Sequence, residues 1–148
     1  HQKRVVVVLG EAGIGKTIEF QLETKRLNDT GQSAFFLPLN LLRIIEDWQL
    51  ALGPAMEAFA TWKAGNKEGF FFLDAVDEAR LQTHADFTRA LSIVRVALAG
   101  HMTRVRIAIS SRVTDWTTPE VASSLTAQLL QPINEAIARD NAGPRPEA

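Results

Sequence analysis

The chain has 148 residues, enough for one domain, and its 16 basic and 17 acidic side chains leave a formal net charge of −1. This balance gives no reason to expect binding to nucleic acid or to an anionic membrane surface. The absence of cysteine excludes disulfides, cysteine-based zinc sites and thiol catalysis, and no apolar run approaches the roughly 20 residues that cross a bilayer. We therefore expect a cytoplasmic protein.

The first half of the chain predicts two strands and three helices. The apolar run Val5–Leu9 is typical of a strand that is buried on both faces of a sheet, and a helix is predicted from Gly15 to about Leu27. Ala34–Leu39 predicts a second strand, in which Pro38 should lie at the sheet edge or at the strand end because proline has no N–H to donate. Two further helices are predicted over Leu41–Leu52 and Ala55–Lys63, separated by Gly53-Pro54.

The second half predicts further strands around one amphipathic helix. The apolar spacing of Phe87, Leu91, Val94 and Leu98 indicates one face of a helix, which Gly100 should end. The other predicted elements are a third strand over Phe70–Leu73, a fourth over Val105–Ile109, a short helix beginning at Pro119, and either a fifth strand or more helix over Leu125–Leu130.

Strands that alternate with helices predict an α/β domain with a mostly parallel sheet, five-stranded if the last run is a strand, and with helices on both faces. Ligands in such sheets bind beyond the C-terminal ends of the strands. Polar side chains that directly follow the apolar runs are therefore the candidate site residues.

The first strand is followed by a phosphate-binding motif. Residues Gly10, Glu11, Ala12, Gly13, Ile14, Gly15, Lys16 and Thr17 fit the pattern G-x-x-x-x-G-K-[ST] between a strand and a helix. The glycines allow successive backbone N–H groups to point toward an anion, and the helix N-terminus adds its unpaired N–H groups. Lys16 would bind the β- and γ-phosphates, and the Thr17 hydroxyl would bind Mg²⁺. The simpler alternative is a glycine-rich turn that precedes a helix.

Carboxylates follow the third strand. Asp74 stands at its end and is a candidate ligand of Mg²⁺, through water, because this ion keeps much of its hydration shell. Asp77 and Glu78 are candidates to orient an attacking water or to accept its proton, and the sequence does not rank them. Their alternative role is that of solvated acids at a helix N-terminus.

The fourth strand is followed by Ser110, Ser111 and Arg112. If this strand lies beside the first, Arg112 would lie near the γ-phosphate and could bind its oxygens bidentately. Ser110 or Ser111 could hydrogen-bond the phosphate or the attacking water. An exposed surface arginine is the alternative for Arg112.

Together these three segments resemble the STAND class of P-loop NTPases, most closely its NACHT branch. The matching stretches are 10–17, the Walker B-like 73–79 and the sensor 1-like 109–112, and residues 130–136 resemble the passage into the family's helical lid. The resemblance implies a P-loop NTPase three-layer sandwich that binds ATP or ADP with Mg²⁺. It further implies a slowly hydrolysing regulatory switch of a signalling or defence protein, whose nucleotide state controls self-association.

Residues 1–148 are thus predicted to form a NACHT-like core cut from a longer protein, with a linker-like tail over 140–148 and with other domains of that protein as partners. Two alternatives remain open, a small-molecule kinase on the same fold and a nucleotide-binding module that does not hydrolyse. A GTPase is disfavoured because the stretch Asn66-Lys67-Glu68-Gly69 has glycine where guanine recognition requires Asp.

Overall fold

Parallel strands form one sheet at the centre of the molecule. The structure, a computed structural model, describes residues 4–10, 14–74, 84–112, 123 and 126–141. Within these residues the strands are β1 (Val5–Gly10), β2 (Ser33–Pro38), β3 (Gly69–Asp74) and β4 (Val105–Arg112). The four strands have the order β1-β4-β3-β2, and each neighbouring pair is parallel. The predicted α/β class with a parallel sheet is confirmed.

Helices cover both faces of this sheet. The helices in the described part of the chain are α1 (Ile14–Asp29), α2 (Asp47–Leu52), α3 (Met56–Ala64), α4 (His84–Ala97) and α5 (Gln131–Asn141). On one face, Phe20 of α1 packs with Ala34 and Phe72 of the sheet. On the other face, residues of α2, α3, α4 and α5 join Phe35, Phe71 and other sheet residues in one large core. Alternate residues of a strand point to opposite faces, so the wholly apolar runs supply both layers.

Aromatic rings dominate the larger core next to the edge strand β2. The Phe71 ring is fully buried, and its centroid lies 5.1 Å from that of Phe35 and 5.2 Å from that of Trp62. Phe59 and Trp48 complete this aromatic cluster. Two of the three tryptophans, Trp48 and Trp62, therefore pack in the core.

Of the two alternatives left open for Leu125–Leu130, the described residues show helix, because Thr126–Leu130 form a π-helical turn that continues directly into α5. The five-stranded sheet is therefore wrong for the described residues, whose sheet has four strands. Leu129, Ile133 and Ala136 are buried, and their spacing of four and three is that of a helix face. Pro132 follows as the second residue of α5, where a residue without an N–H interrupts the backbone hydrogen bonds that join α5 to the preceding turn.

The helix predicted over Leu41–Leu52 is too long. The chain forms a 3₁₀ turn at Leu39–Leu41, and α2 begins only at Asp47. The Asp47 carboxylate accepts hydrogen bonds from the backbone N–H groups of Arg43 (2.9 Å) and Ile44 (3.0 Å), and these bonds, that of Ile44 first, lower the pKa of Asp47. The Asp47 side chain competes with the hydrogen bonds of a regular helix, and it holds the residues before α2 in a turn.

The remaining elements agree in type with the described residues, although β4 extends three residues beyond its predicted end at Ile109. Pro38 is both the last residue of β2 and on an edge strand of the described sheet. Phe87, Leu91 and Val94 are buried along α4, Leu98 is buried directly after it, and Gly100 follows with a φ of 85°, a conformation that favours glycine.

Two predictions concern regions at or beyond the described residues. The short helix at Pro119 lies outside them, as do residues 142–148 of the predicted tail, whereas residues 140 and 141 belong to α5. None of the helices in the described ranges combines the length and apolar character needed to span a bilayer.

Arg104 ties the C-terminal end of α3 to the N-terminal end of β4. Its guanidinium donates hydrogen bonds to the carbonyls of Trp62 (3.1 Å), Lys63 (3.1 Å) and Lys67 (2.8 Å), and it stacks 4.3 Å from the Trp62 ring centroid. It also lies 2.8 Å from His101 Nδ1. Burial, and then the charges of Arg104 and Lys63, lower the pKa of His101, which favours the neutral ring.

We expect Arg104→Ala to lower the free energy of unfolding by about 2 kcal/mol, because the last carbonyls of α3 lose a charged donor. Arg104→Lys should recover only part of this loss, since an ammonium cannot reproduce the planar fork or its stacking. Urea unfolding followed by circular dichroism measures both. Arg89→Ala is the control, because Arg89 forms an exposed pair with Asp86 at 3.5 Å and should cost less than about 0.5 kcal/mol. Equal losses in the Arg104 and Arg89 alanine variants would contradict this role.

Candidate functional site

A buried carboxylate lies at the C-terminal end of β3, where two hydroxyl groups donate to it. Thr17 Oγ1 donates to Asp74 Oδ2 at 2.7 Å, and Ser110 Oγ donates to Asp74 Oδ1 at 2.9 Å. Asp74 is 7 % exposed and Ser110 is 0 % exposed. A buried carboxylate is costly unless hydrogen bonds satisfy it, and here each oxygen accepts at least one. The arrangement joins α1, β3 and β4 at one point.

Thr17 is positioned by the packing of α1 on the sheet. Three residues further along α1, Phe20 packs against Phe72 with ring centroids 5.2 Å apart, and both rings are buried. Phe72 and Asp74 are two residues apart on β3 and therefore share a face of the sheet. Because Thr17 precedes Phe20 whereas Asp74 follows Phe72, α1 runs antiparallel to β3. The Phe20–Phe72 contact thus sets the register that brings the Thr17 hydroxyl to Asp74.

Ser110 is positioned by the pairing of the strands in the sheet. In the β3–β4 pairing Asp74 lies opposite Ser110, and in the β1–β4 pairing Ser110 lies opposite Val8. Residues directly opposite each other in a sheet have neighbouring side chains. Ser110 therefore lies beside Asp74 on β4, the strand between β1 and β3.

The predicted phosphate-binding motif has its flanking elements at the same edge of the sheet. Gly10 is the last residue of β1, and α1 begins at Ile14. Gly15 and Lys16 belong to the first turn of α1, and for these two residues the structure describes the backbone alone. Glu11, Ala12 and Gly13 lie outside the described residues. Strand, three-residue connection and helix thus follow in the order that the motif requires.

Two other sets of predicted site residues are placed less fully. The backbone of Ser111 and Arg112 extends β4 beyond its predicted end at Ile109, and their Cα atoms pair with those of Leu9 and Gly10. The condition attached to Arg112, that its strand lies beside the first, is therefore met. Asp77 and Glu78 lie outside the described residues.

The contact of Ser110 with Asp74 was not anticipated from the sequence, which assigned Ser110 or Ser111 to the phosphate or to water. No local signal could have found it, because the partners are 36 residues apart and meet only if β3 and β4 are neighbours in this register. The proximity of Thr17 and Asp74 could be predicted from local sequence, because Thr17 belongs to the phosphate-binding motif and Asp74 stands at the end of an apolar strand.

The Thr17–Asp74 pair has the chemistry of a magnesium site. A threonine that uses its proton to donate to a carboxylate keeps its oxygen lone pairs for a cation. Mg²⁺ prefers such oxygen ligands and is bound by one or two carboxylates together with water and phosphate oxygens rather than by an all-protein cage. Among the described residues, no cluster of three or more histidine, aspartate or glutamate side chains could hold a metal ion. The oxygen atoms of Thr17 and Asp74 could hold Mg²⁺ together with water or phosphate oxygens.

A cavity of about 420 Å³ lies at the opposite end of the sheet, between the ends of α1 and α3. Its lining includes the polar side chains of Asn28, Ser33 and Lys67 and the buried residues Phe35 and Trp62. The predicted site residues that the structure describes are not part of it. Since ligands of parallel sheets bind at the C-terminal strand ends, the Asp74 site is the stronger candidate.

Comparisons of the chain with protein-family models, with curated proteins and with solved structures found no match. The assignment of a function therefore depends on the residues and contacts of this chain.

Proposed function

We propose that this chain is a Mg²⁺-dependent ATP-binding domain of the P-loop type that acts as a nucleotide-controlled switch. The observation that carries the proposal is the 2.7 Å hydrogen bond from Thr17 Oγ1 to Asp74 Oδ2. Thr17 is the last residue of the phosphate-binding motif, and Asp74 is the last residue of β3. The two residues are 57 positions apart, and each was predicted to bind the same ion. A glycine-rich turn with no ligand would not require a buried acid to face that threonine.

Different groups of the chain would bind the phosphates and the metal ion of the nucleotide. The backbone N–H groups of residues 10–17 and the N-terminus of α1 bind phosphate oxygens, and Lys16 adds a positive charge. Thr17 and Asp74 would hold the metal ion of the nucleotide, Thr17 directly and Asp74 through water. When bound, Mg²⁺ neutralises negative charge on the phosphates. ATP is preferred to GTP because the guanine-recognition motif is absent from the sequence.

The catalytic and regulatory parts of the proposal rest on the resemblance to NACHT-type NTPases. Asp77 or Glu78 would orient the attacking water and take its proton, and Arg112 would bind the γ-phosphate and so distinguish ATP from ADP. The Cα of Arg112 lies opposite that of Gly10, at the start of the phosphate-binding motif, which supports this role. Slow hydrolysis would then reset a state that controls self-association and contacts with other domains of a longer protein.

We expect Asp74→Asn to weaken Mg·ATP binding by roughly 10- to 100-fold, because a charged acceptor at the metal is worth about 1.5–3 kcal/mol. Affinity for ATP in EDTA should not change, since backbone amides and Lys16 still bind the phosphates. Asparagine is nearly isosteric, and its amide can pair with both hydroxyl groups, so the fold should persist. Calorimetric titration with ATP, in excess Mg²⁺ and in EDTA, measures both affinities.

The matched control is Asp29→Asn, which makes the same change at the far end of α1, where Asp29 forms an exposed pair with Lys25 at 2.7 Å. This variant should bind Mg·ATP like the unmodified chain. Magnesium-independent ATP binding by the unmodified chain, or an unchanged Mg·ATP affinity in Asp74→Asn, would contradict the proposed site.

A further inference from the structure

The hydroxyl of Ser110 has a single proton, and the structure shows where that proton goes. Ser110 is completely buried on β4, and its Oγ lies 2.9 Å from Asp74 Oδ1. An ionised carboxylate can only accept, so the hydroxyl must be the donor in this bond. Phosphate oxygens also act mainly as acceptors. While Ser110 donates to Asp74, it therefore cannot donate to a phosphate as well.

We propose that Ser110 is a positioning residue that orients the Asp74 carboxylate for the metal, rather than a residue that touches the nucleotide. This inference rests on the proposed function, because it concerns the same site. A carboxylate that is held at only one oxygen can turn about its terminal bond, since the torsion of aspartate is broad. The bond from Ser110 to Oδ1 fixes that torsion and leaves Oδ2 facing Thr17.

The place of Ser110 in the sheet makes this orientation rigid. It lies opposite Asp74 on one side and opposite Val8 on the other, so neighbouring strands flank it on both sides. Thr17, in contrast, belongs to the first turns of α1, next to the phosphate-binding motif. Asp74 is thus held by one hydroxyl from the rigid sheet and by one from the helix that binds the nucleotide.

This division of roles predicts a specific defect. Partners that orient a direct metal ligand change metal affinity by roughly 10- to 100-fold when they are removed, and because Asp74 acts through water we expect the lower end of this range for Ser110. ATP affinity should rise with Mg²⁺ concentration to a plateau. Ser110→Ala should therefore raise, by about tenfold or more, the Mg²⁺ concentration at which half of this gain in ATP affinity is reached (the Mg²⁺ midpoint). ATP affinity in EDTA should stay the same, because the phosphate contacts are intact. A residue that bound the γ-phosphate itself would instead weaken ATP binding in both conditions.

The experiment uses the 148-residue chain and measures ATP affinity by calorimetry across a series of MgCl₂ concentrations. Thr24→Val is the matched control, because Thr24 on α1 donates its hydroxyl to the Phe20 carbonyl at 2.7 Å, away from Asp74. Ser110→Cys is the conservative variant: its weakly donating thiol should give a smaller shift than alanine and keeps the test available if Ser110→Ala does not fold.

A double-mutant cycle with Asp74→Asn tests whether Ser110 acts through Asp74. If it does, Ser110→Ala should produce little further change in the Mg²⁺ midpoint once Asp74 is replaced. An unchanged midpoint in the folded Ser110 variants, additive effects in the cycle, or loss of ATP binding in EDTA would overturn the inference and leave the proposed function standing. Failure of the unmodified chain to bind ATP more tightly with Mg²⁺ would overturn both.

Discussion

Replacing Lys16 with alanine should lower the affinity for ATP by at least roughly 10- to 100-fold. A charge-assisted contact with phosphate oxygens is worth about 1.5–3 kcal/mol, and the lysine of the motif contacts both the β- and γ-phosphates. The loss should appear in Mg²⁺ and in EDTA alike, because Lys16 binds phosphate rather than the metal. This pattern separates Lys16→Ala from Asp74→Asn, whose effect should require Mg²⁺.

Lys25→Ala is the matched control for Lys16. Lys25 lies on the same helix, is exposed and pairs with Asp29 at 2.7 Å, so its replacement removes the same charge from α1 away from the motif. Calorimetry should find its ATP affinity within a factor of about two of the unmodified chain, since an isolated surface pair contributes little. If Lys16→Ala and Lys25→Ala bound ATP equally well, residues 10–17 would not be a phosphate-binding loop.

Phe71→Ala should lower the free energy of unfolding by about 3–5 kcal/mol, more than Arg104→Ala. Its ring is fully buried at the middle of the aromatic cluster, with centroids 5.1 Å from Phe35, 5.2 Å from Trp62 and 6.2 Å from Phe59. The surrounding side chains come from β2 and α3 and cannot all move into the space that the ring leaves. The free energy of unfolding in urea is the measurement.

Phe70→Ala is the control, because it deletes the same group from the neighbouring position of β3. Phe70 points to the opposite face of the sheet, where it is only partly buried beside the smaller core of Phe20, Ala34 and Phe72. Its replacement should cost clearly less than that of Phe71. A loss for Phe70→Ala equal to or larger than that for Phe71→Ala would contradict the assignment of the main core to the face that carries α3.

Local patterns were sufficient to predict most elements of the sheet. Strand β3 is a wholly apolar run, and such runs occur where both faces of a strand are covered. Helix α4 was predicted from apolar spacing, and all four residues used for it are buried. The end of β4 was placed too early because Ser110, Ser111 and Arg112 do not continue the apolar pattern, whereas the pairing of β4 with β1 carries the strand through them.

One helix was predicted too long, and one segment was left open between strand and helix. Over Leu41–Leu52 a side-chain carboxylate at Asp47 competed with the helical backbone bonds, and over Leu125–Leu130 a short apolar stretch was compatible with either period. In the second case the burial of Leu129 together with Ile133 identifies a helix face. Short segments do not contain enough positions to separate these alternatives before their packing is known.

By itself the sequence determined the ligand class proposed for this protein, because the glycines, Lys16 and Thr17 form a contiguous motif whose chemistry does not depend on distant residues. It also determined that an acid follows a buried strand. Only the tertiary structure decided that Thr17, Asp74 and Ser110 meet, since that requires β4 to lie between β1 and β3 and Phe20 to pack on Phe72. Strand order and helix packing arise from the burial of whole faces, which no short stretch of sequence encodes.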